Sequence, residues 1–394
     1  MLTPQYLQEQ PQHIVNIYLD LENKIIADIS RRIKQNIELT ETAEYQTKVL
    51  VEMGYDLADI EEEISKTTNI SQKKIRKLFE SSAELSYNHE RQLYKKAGKD
   101  LKSLDKNIKM IDFIEATIKQ TQGTMRNLSK TRGYVSTRQF LRIPHLYRNT
   151  IDSAILQVST GAFDYTTVLR QAVNKLGDSG LRTIDYNSGR KYHIESAVRM
   201  NVLTGLSQIT GFMSETNADE MGQDLMEITA HMGARPSHKV WQGEIVSRSG
   251  TKRGFLTLED IGYGDVDGFK GANCRHDWFP FFEGISTPTY TEEELENIDP
   301  PDFEYEGKIY TAYDATQKQR QIERNIRATK RKLIAYDSAG LKDDFNAYSV
   351  KLRRQKELYR DFSNKAGLRE KKERQHTYGY GRSIAGKAGY AGRR

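Results

Sequence analysis

Apolar residues recur every three or four positions along much of the chain, which is the spacing of one face of an α-helix. Gly54 is typical of a helix break and Ser71 of a helix start, so we expect shorter helices after the first one. The pattern continues over residues 84–128 and 150–229, with loops predicted at 177–180 and 187–189. The clearest run, near the N-terminus, predicts one long amphipathic helix on Ile14, Tyr18, Leu21, Ile25, Ile29, Ile33 and Ile37.

The pattern changes between Met232 and Thr289, where glycine becomes frequent and both tryptophans occur. Short β-prone pieces at 241–246 and 278–282 are separated by turn residues. This part of the chain therefore predicts a compact α+β module, followed by a proline-containing acidic linker.

Two helices are predicted beyond the linker, and we expect them to pair as a hairpin. Gly340 and Gly367 each stand where a helix end favours a left-handed residue, so we interpret both as helix stops. The last residues, 376–394, are rich in glycine and basic, and we expect no ordered structure there.

The sequence as a whole predicts a mainly α protein with a small α+β module, elongated and built on long amphipathic helices. We divide it into an N-terminal helical region (1–130), a central helical region (131–230), the module (231–290), a linker (291–301), a C-terminal helical hairpin (302–375) and a disordered basic tail (376–394).

Composition favours helices with solvated faces over one large core, since 37% of residues are hydrophobic, 29% are charged and the mean hydropathy is −0.72. Neither a membrane span nor a secretion leader is expected. Cys274 is the single cysteine, so no internal disulfide can form, which fits a reducing cytosol.

Positive charge is concentrated at the C-terminal end. Residues 300–394 carry 23 lysines and arginines against 12 aspartates and glutamates. Such a region can neutralise DNA phosphates without reading bases, although a solvated helix face explains the same pattern. The candidate DNA-contact residues are Arg320, Arg324, Arg327, Lys330, Arg331, Lys332, Arg353, Arg354, Lys356, Arg369, Lys371, Lys372, Arg374, Arg382, Lys387, Arg393 and Arg394.

Residues 53–79 resemble a helix-turn-helix, with Lys73, Lys74, Arg76 and Lys77 on the presumed recognition helix. A short helical hairpin explains the same pattern. If the motif binds a preferred operator, the protein is a DNA-binding regulator.

Rare residue types crowd residues 231–246 and 263–286, and three interpretations compete. His231, His238, Cys274 and His276 carry the donor atoms of a zinc site, but the Cys-x-His spacing is tighter than usual. Alternatively, Cys274 is a nucleophile activated by one of the histidines and Arg275, which predicts a nuclease or transferase. The interpretation that we favour is a packed structural core with no metal, no cofactor and no catalytic residue.

The strings HMGARPSHKVWQG, YGDVDGFKGANCRH and FPFFEGIS resemble the phage minor capsid protein family and, more distantly, Mu F-like minor head proteins. The resemblance extends through residues 184–205 and 317–333. It rests on the signature residues Gly233, Arg235, Pro236, His238, Trp241, Gln242, Gly243, Gly271, Asn273, Cys274, Arg275 and His276.

This resemblance implies a non-enzymatic structural protein of a tailed bacteriophage. It implies a component made in the host cytoplasm and placed inside the head near the portal, where it aids assembly and DNA packaging, retention or delivery. The implied partners are portal and capsid proteins and packaged double-stranded DNA, bound without sequence preference.

Overall fold

The computed structural model describes residues 2–38, 43–130, 132–136, 139–142, 165–180, 182–184, 191–271 and 273–393. The protein is mainly helical with small sheets, as the sequence predicts. None of the helices in these ranges has an apolar stretch long enough to cross a membrane. The predicted loop at 187–189 and the candidate Arg394 lie outside the described residues.

The helices and strands follow in chain order. The helices are α1 (Pro4–Glu9), α2 (Gln12–Glu38), α3 (Ala43–Lys96), α4 (Ile108–Lys130), α5 (Tyr165–Ser179), α6 (Ile194–Glu220), α7 (Pro236–Lys239), α8 (Glu292–Glu296), α9 (Ala312–Ala339), α10 (Lys342–Lys365) and α11 (Arg382–Ala391). The strands are β1 (Arg132–Ser136), β2 (Gln139–Arg142), β3 (Arg182–Ile184), β4 (Lys191–His193), β5 (Leu225–Ile228), β6 (Ile245–Ser247), β7 (Leu256–Thr257), β8 (Trp278–Pro280), β9 (Phe303–Tyr305) and β10 (Lys308–Tyr310).

The chain divides into two compact units, each made of three separate segments. Unit 1 comprises Met1–Ile14, Ser71–Met125 and Val198–Gln317, and unit 2 comprises Val15–Ile70, Arg126–Ala197 and Lys318–Arg394. The contiguous division suggested by the sequence stays a prediction.

In unit 1, helices α3, α4 and α6 pack closely. The rings of Phe113 on α4 and Phe212 on α6 stack with centroids 3.7 Å apart. Glu90 on α3 is fully buried, and its carboxylate accepts hydrogen bonds from Ser214 and, at 2.8 Å, from Asn217 on α6. The acid is therefore compensated by hydrogen bonds, as a buried carboxylate must be.

The module also belongs to unit 1, and its strands form a sheet with β5, which precedes residue 231, in the strand order β7-β6-β5-β8. β5 pairs antiparallel with β6 and β8, whereas β7 runs parallel to β6. β5 is buried along its whole length, and the sequence analysis did not assign it as a strand. One face of the sheet is covered by a core of Ala218, Met226, Ile228, Trp241, Val246, Ile261, Phe269, Cys274 and Trp278.

Unit 2 contains the antiparallel sheet β2-β1-β3-β4 and the predicted C-terminal hairpin. The α9–α10 pairing is confirmed by a 3.0 Å hydrogen bond from Tyr359 to Glu323 and by the edge-to-face rings of Tyr336 and Tyr348. Gly340, with φ of 73°, follows α9, and Gly367, with φ of 62°, follows α10. Both helix stops are therefore confirmed.

Several predicted boundaries are wrong. α3 runs unbroken through Gly54 and Ser71, so residues 53–79 contain no turn and are not a helix-turn-helix. α5 continues to Ser179, beyond the loop predicted from Gly177, because the left-handed residue that ends it is Gly180.

The two segments expected to be least structured contain helices. The linker holds α8, which begins with a capping box between Thr291 and Glu294. The tail holds α11, with Ala388 buried. Thr291 Oγ1 accepts the Glu294 backbone N–H at 3.2 Å. The Thr-x-x-Glu spacing is a capping signal that the sequence analysis did not use.

Candidate functional site

Two of the signature histidines and the cysteine meet inside the module. His238 lies in the short helix α7, which begins after Arg235 in extended backbone and has Pro236 in its first turn. Cys274 and His276 lie in the segment that leads into β8, just after Asn273 with φ of 58°. Their side chains lie on the same side of this segment, since Cys274 Sγ is 3.6 Å from His276 Nδ1.

The three donor atoms form a tight triangle. His238 Nδ1 lies 3.3 Å from His276 Nδ1, and Cys274 Sγ lies 3.9 Å from the first and 3.6 Å from the second. All three side chains are at least 98% buried. The structure therefore brings together three of the four residues that the zinc hypothesis named.

The outer nitrogen of each ring faces an oxygen. His238 Nε2 lies 2.7 Å from the Asp267 carbonyl oxygen, and His276 Nε2 lies 3.3 Å from Gln242 Oε1. Gln242 Oε1 also accepts the His231 backbone N–H at 3.1 Å, which identifies it as the amide oxygen. Both oxygens accept only, so each Nε2 carries hydrogen and each neutral ring presents a lone pair at Nδ1.

Burial shifts the acid–base behaviour of the triangle. It lowers the pKa of His238 and lowers that of His276 well below its usual value, because a charged imidazolium loses hydration. It raises the pKa of the Cys274 thiol. A reactive cysteine needs a lowered pKa and exposure, so this arrangement does not favour the nucleophile hypothesis.

The other two residues of these hypotheses face elsewhere. His231 stacks on His276 with ring centroids 4.4 Å apart, and its Nδ1 lies 3.0 Å from the Met232 carbonyl oxygen and 3.3 Å from the Arg275 guanidinium. Burial, followed by the charge of Arg275, lowers the pKa of His231 to about 4. The Arg275 guanidinium donates to Gln8 at 2.7 Å. His231 therefore packs against the cluster, and its donor atoms do not join the triangle.

The remaining signature residues shape the chain around the cluster. Trp241 is buried, and its ring lies 4.4 Å from that of His238 and 4.9 Å from that of His276. Gly243 has φ of 79° and lies against Leu295, while a Cβ at Gly271 would meet a carbonyl oxygen at 2.4 Å. Gly233 has φ of 67°, and its N–H donates to Asp299 at 2.7 Å. These glycines are needed for turns and close approaches.

A buried ion pair beside the cluster was missed by the sequence analysis. Lys270 and Asp277 form an ion pair, and their side chains are 8% and 1% exposed, respectively. The Asp277 carboxylate also accepts the Leu2 backbone N–H at 2.8 Å. The opposed charges lie seven residues apart in irregular sequence, so no periodic pattern indicates the pairing.

Four of the candidate DNA-contact residues are buried in unit 2 and bind protein groups. Arg327 pairs with Glu195, Arg331 with Glu22 and Lys332 with Asp178. Lys330 donates to the Gln375 carbonyl oxygen at 2.6 Å. Phosphates cannot reach these side chains in this conformation.

The remaining candidate cations differ in exposure. Arg374 is largely buried near Glu323, and Lys387 pairs with Asp337. Arg320 and Lys371 are partly buried, and Arg393 donates to the Gly389 carbonyl oxygen. The exposed residues among the candidates are Arg324, Arg353, Arg354, Lys356, Arg369, Lys372, Arg382, Lys387 and Arg393.

Comparison with known proteins identifies the chain's relatives. Residues 2–364 match the family model described as phage minor capsid protein 2. A structural protein of Lactococcus phage LL-H is 22% identical over 340 residues, which cover 82% of this chain and 88% of the relative. A structural protein of Lactococcus phage mv4 is 30% identical over 86 residues, covering 22% of this chain and 61% of the relative.

No solved structure matches the chain significantly. The family match spans nearly the whole sequence and includes the cluster and both helices of the C-terminal hairpin. The chain therefore belongs to the phage minor capsid protein 2 family.

Proposed function

We propose that this phage structural protein lies inside the head near the portal, acts without catalysis, and contacts packaged double-stranded DNA without reading its sequence. Its membership of a minor capsid family supports a place in the virion. The DNA contact is supported by three exposed cations on α10, in unit 2.

These cations are Arg354, Lys356 and Arg360, all exposed. Lys356 and Arg360, four residues apart, share one side of the helix, and Arg354 lies on another side. The nearby acids are engaged with other cations of the helix: Glu357 lies 3.7 Å from Arg353, and Asp361 lies 3.9 Å from Lys365. Within the described part of the chain, no carboxylate lies in ion-pair range of these three cations. Arg360 was not among the residues that the sequence analysis selected.

Unpaired, exposed cations suit a phosphate backbone. Each phosphate that they neutralise releases a condensed counterion, so binding weakens as salt rises and is indifferent to base sequence. Contacts of this kind position a protein on DNA without reading bases. A packaged genome of arbitrary sequence calls for binding of this type.

The decisive measurement is the salt dependence of duplex binding by R354Q/K356Q/R360Q. We expect the slope of log K against log salt to fall in magnitude by about 2 relative to the unsubstituted chain, since each lost phosphate contact removes roughly 0.9 and two of the three cations share one side of the helix. Two unrelated duplexes should bind equally well. If the variant keeps the original slope, these cations are only solvated.

The matched control is K73Q/K74Q/K77Q, which removes the same charge from an exposed stretch of α3. We expect this variant to keep the original slope. If the α3 variant loses binding and the α10 variant does not, DNA contact belongs to α3 instead.

Location is tested separately on purified particles. We expect the chain to resist protease in intact heads, to be cleaved in opened heads, and to give chemical crosslinks to portal subunits. Cleavage in intact particles would refute an internal position, and crosslinks restricted to shell subunits would refute a position at the portal.

A further inference from the structure

We propose that His238 Nδ1, His276 Nδ1 and Cys274 Sγ bind a structural zinc ion. Two imidazole nitrogens and a thiolate are among the ligands that zinc prefers in proteins. The proposal goes beyond the virion role and does not depend on it. It also revises our sequence-based expectation that the module holds no metal.

The spacing of the donor atoms matches a zinc tetrahedron. With Zn–N of about 2.0–2.1 Å and Zn–S of about 2.3 Å, tetrahedral geometry puts two nitrogens about 3.3 Å apart and sulfur about 3.6 Å from each nitrogen. The observed separations are 3.3 Å between the nitrogens and 3.6 and 3.9 Å to the sulfur. Each separation alone also suits a hydrogen bond, but the three together match a single tetrahedral ion.

The ring orientations are those of ligands. A metal-binding histidine usually donates its second N–H to a carbonyl or carboxylate oxygen, which fixes the tautomer. His238 does so to the Asp267 carbonyl oxygen and His276 to Gln242. Both lone pairs consequently point at the same space beside the sulfur.

Without a cation, this arrangement leaves a conflict. The Cys274 S–H can donate to only one of the two Nδ1 atoms. The lone pair of the second Nδ1 then faces the first Nδ1 across 3.3 Å in a buried site. A divalent cation satisfies both nitrogens and the sulfur at once. On binding, the thiol releases its proton to solvent and the thiolate becomes the ligand.

Burial assigns the ion a structural role. The three ligands are almost wholly enclosed, next to Trp241 and Trp278 in the module core. The ion would tie α7 to the segment before β8, which lies 36 to 38 residues further along the chain. Water completes the fourth position in this proposal, since the donor atoms of His231 do not join the triangle.

Metal analysis of the full chain, expressed with zinc and dialysed against metal-free buffer, tests the proposal. We expect one zinc per chain, and loss of that zinc in H276Q and C274S. The matched control is H231Q, which alters a partly buried histidine stacked on the cluster and should keep its zinc. Unsubstituted protein that folds without stoichiometric metal, or that holds it undiminished in both ligand variants, would overturn the site.

A second measurement needs no variant to fold. Chelation should lower the melting temperature of the unsubstituted protein, and zinc, but not magnesium, should restore it. Cobalt added to the chelated protein should produce the thiolate-to-cobalt charge-transfer absorption and the strong visible bands of a tetrahedral site. A melting temperature unaffected by chelation, together with no charge-transfer band, means that the triangle is a metal-free core.

Discussion

The guanidinium of Arg331 lies 3.1 Å from the carboxylate of Glu22, and both side chains are buried in unit 2. The sequence placed Arg331 among the DNA-contact candidates because it lies in a basic run. Its partner comes from a helix about 300 residues earlier in the chain, and no local pattern indicates that pairing. The structure thus gives this cation a part in folding.

We expect R331M to lower the free energy of unfolding by about 3–5 kcal/mol, because it removes the buried cation that faces the buried Glu22 carboxylate. The exposed control R354M should change it by no more than about 0.5 kcal/mol. Urea unfolding followed by far-ultraviolet circular dichroism measures both. The double variant E22L/R331M should regain most of the loss, and equal stability of R331M and R354M would contradict the buried pair.

Lys330 makes the stability of unit 2 depend on pH. Desolvation, followed by the charges of Lys356 and Arg327, lowers its pKa to about 8. Between pH 8 and the ordinary lysine value near 10.5, the unfolded chain holds the proton more tightly than the folded one, so the contribution of Lys330 to stability rises with pH.

K330M removes this titration. We expect the free energy of unfolding of the unsubstituted protein, relative to K330M, to increase by up to about 3 kcal/mol from pH 7 to pH 10.5. Parallel urea titrations at several pH values measure it. Two pH profiles that run parallel would show that Lys330 is solvated in the folded state.

Much of the fold follows from the sequence, since the stripes of α2 and α10 and the helix stops at Gly340 and Gly367 are local signals. Local signals failed where distant packing overrode them. Gly54 and Ser71 lie within α3, and the hydroxyl-bearing Ser71 is fully buried there. Helix propensity is a weak preference that tertiary contacts readily outweigh.

The candidate site shows the same limit. Residue types singled out His231, His238, Cys274 and His276, and the structure brings the donor atoms of the last three together. The spacing criterion argued against a metal because Cys-x-His is short. That criterion assumes a turn between the two ligands. Cys274 and His276 are instead separated by one residue, and their side chains lie on the same side of the chain. The approach of His238 depends on the tertiary fold, which spacing along the chain does not reveal.

Two helical glycines in unit 1 should respond oppositely to the same substitution. A Cβ at Gly205 would lie 2.5 Å from the ring of Phe79 and 2.7 Å from Thr121 Oγ1, whereas a Cβ at Gly123 would meet nothing within 4 Å. We expect G205A to cost about 1–3 kcal/mol through overpacking and G123A to stabilise by roughly 0.5–1 kcal/mol. Both tryptophans lie in unit 1, so urea unfolding followed by their fluorescence measures each change. Stabilisation by G205A would show that the helices separate at that point.

Gln242 distinguishes a metal-supporting role from simple packing, because its side-chain oxygen accepts from both His276 Nε2 and the His231 backbone N–H. If the triangle binds zinc, Q242L removes the acceptor that orients one ligand, and zinc affinity should fall about 10- to 100-fold. Q242E keeps an accepting oxygen at the same place and should retain most of the affinity. Competition with a chromophoric chelator gives the dissociation constants, and circular dichroism confirms that both variants fold. A zinc affinity that is equally weak in Q242L and Q242E would show that side-chain packing, not the hydrogen bond to His276, is what the site requires at this position.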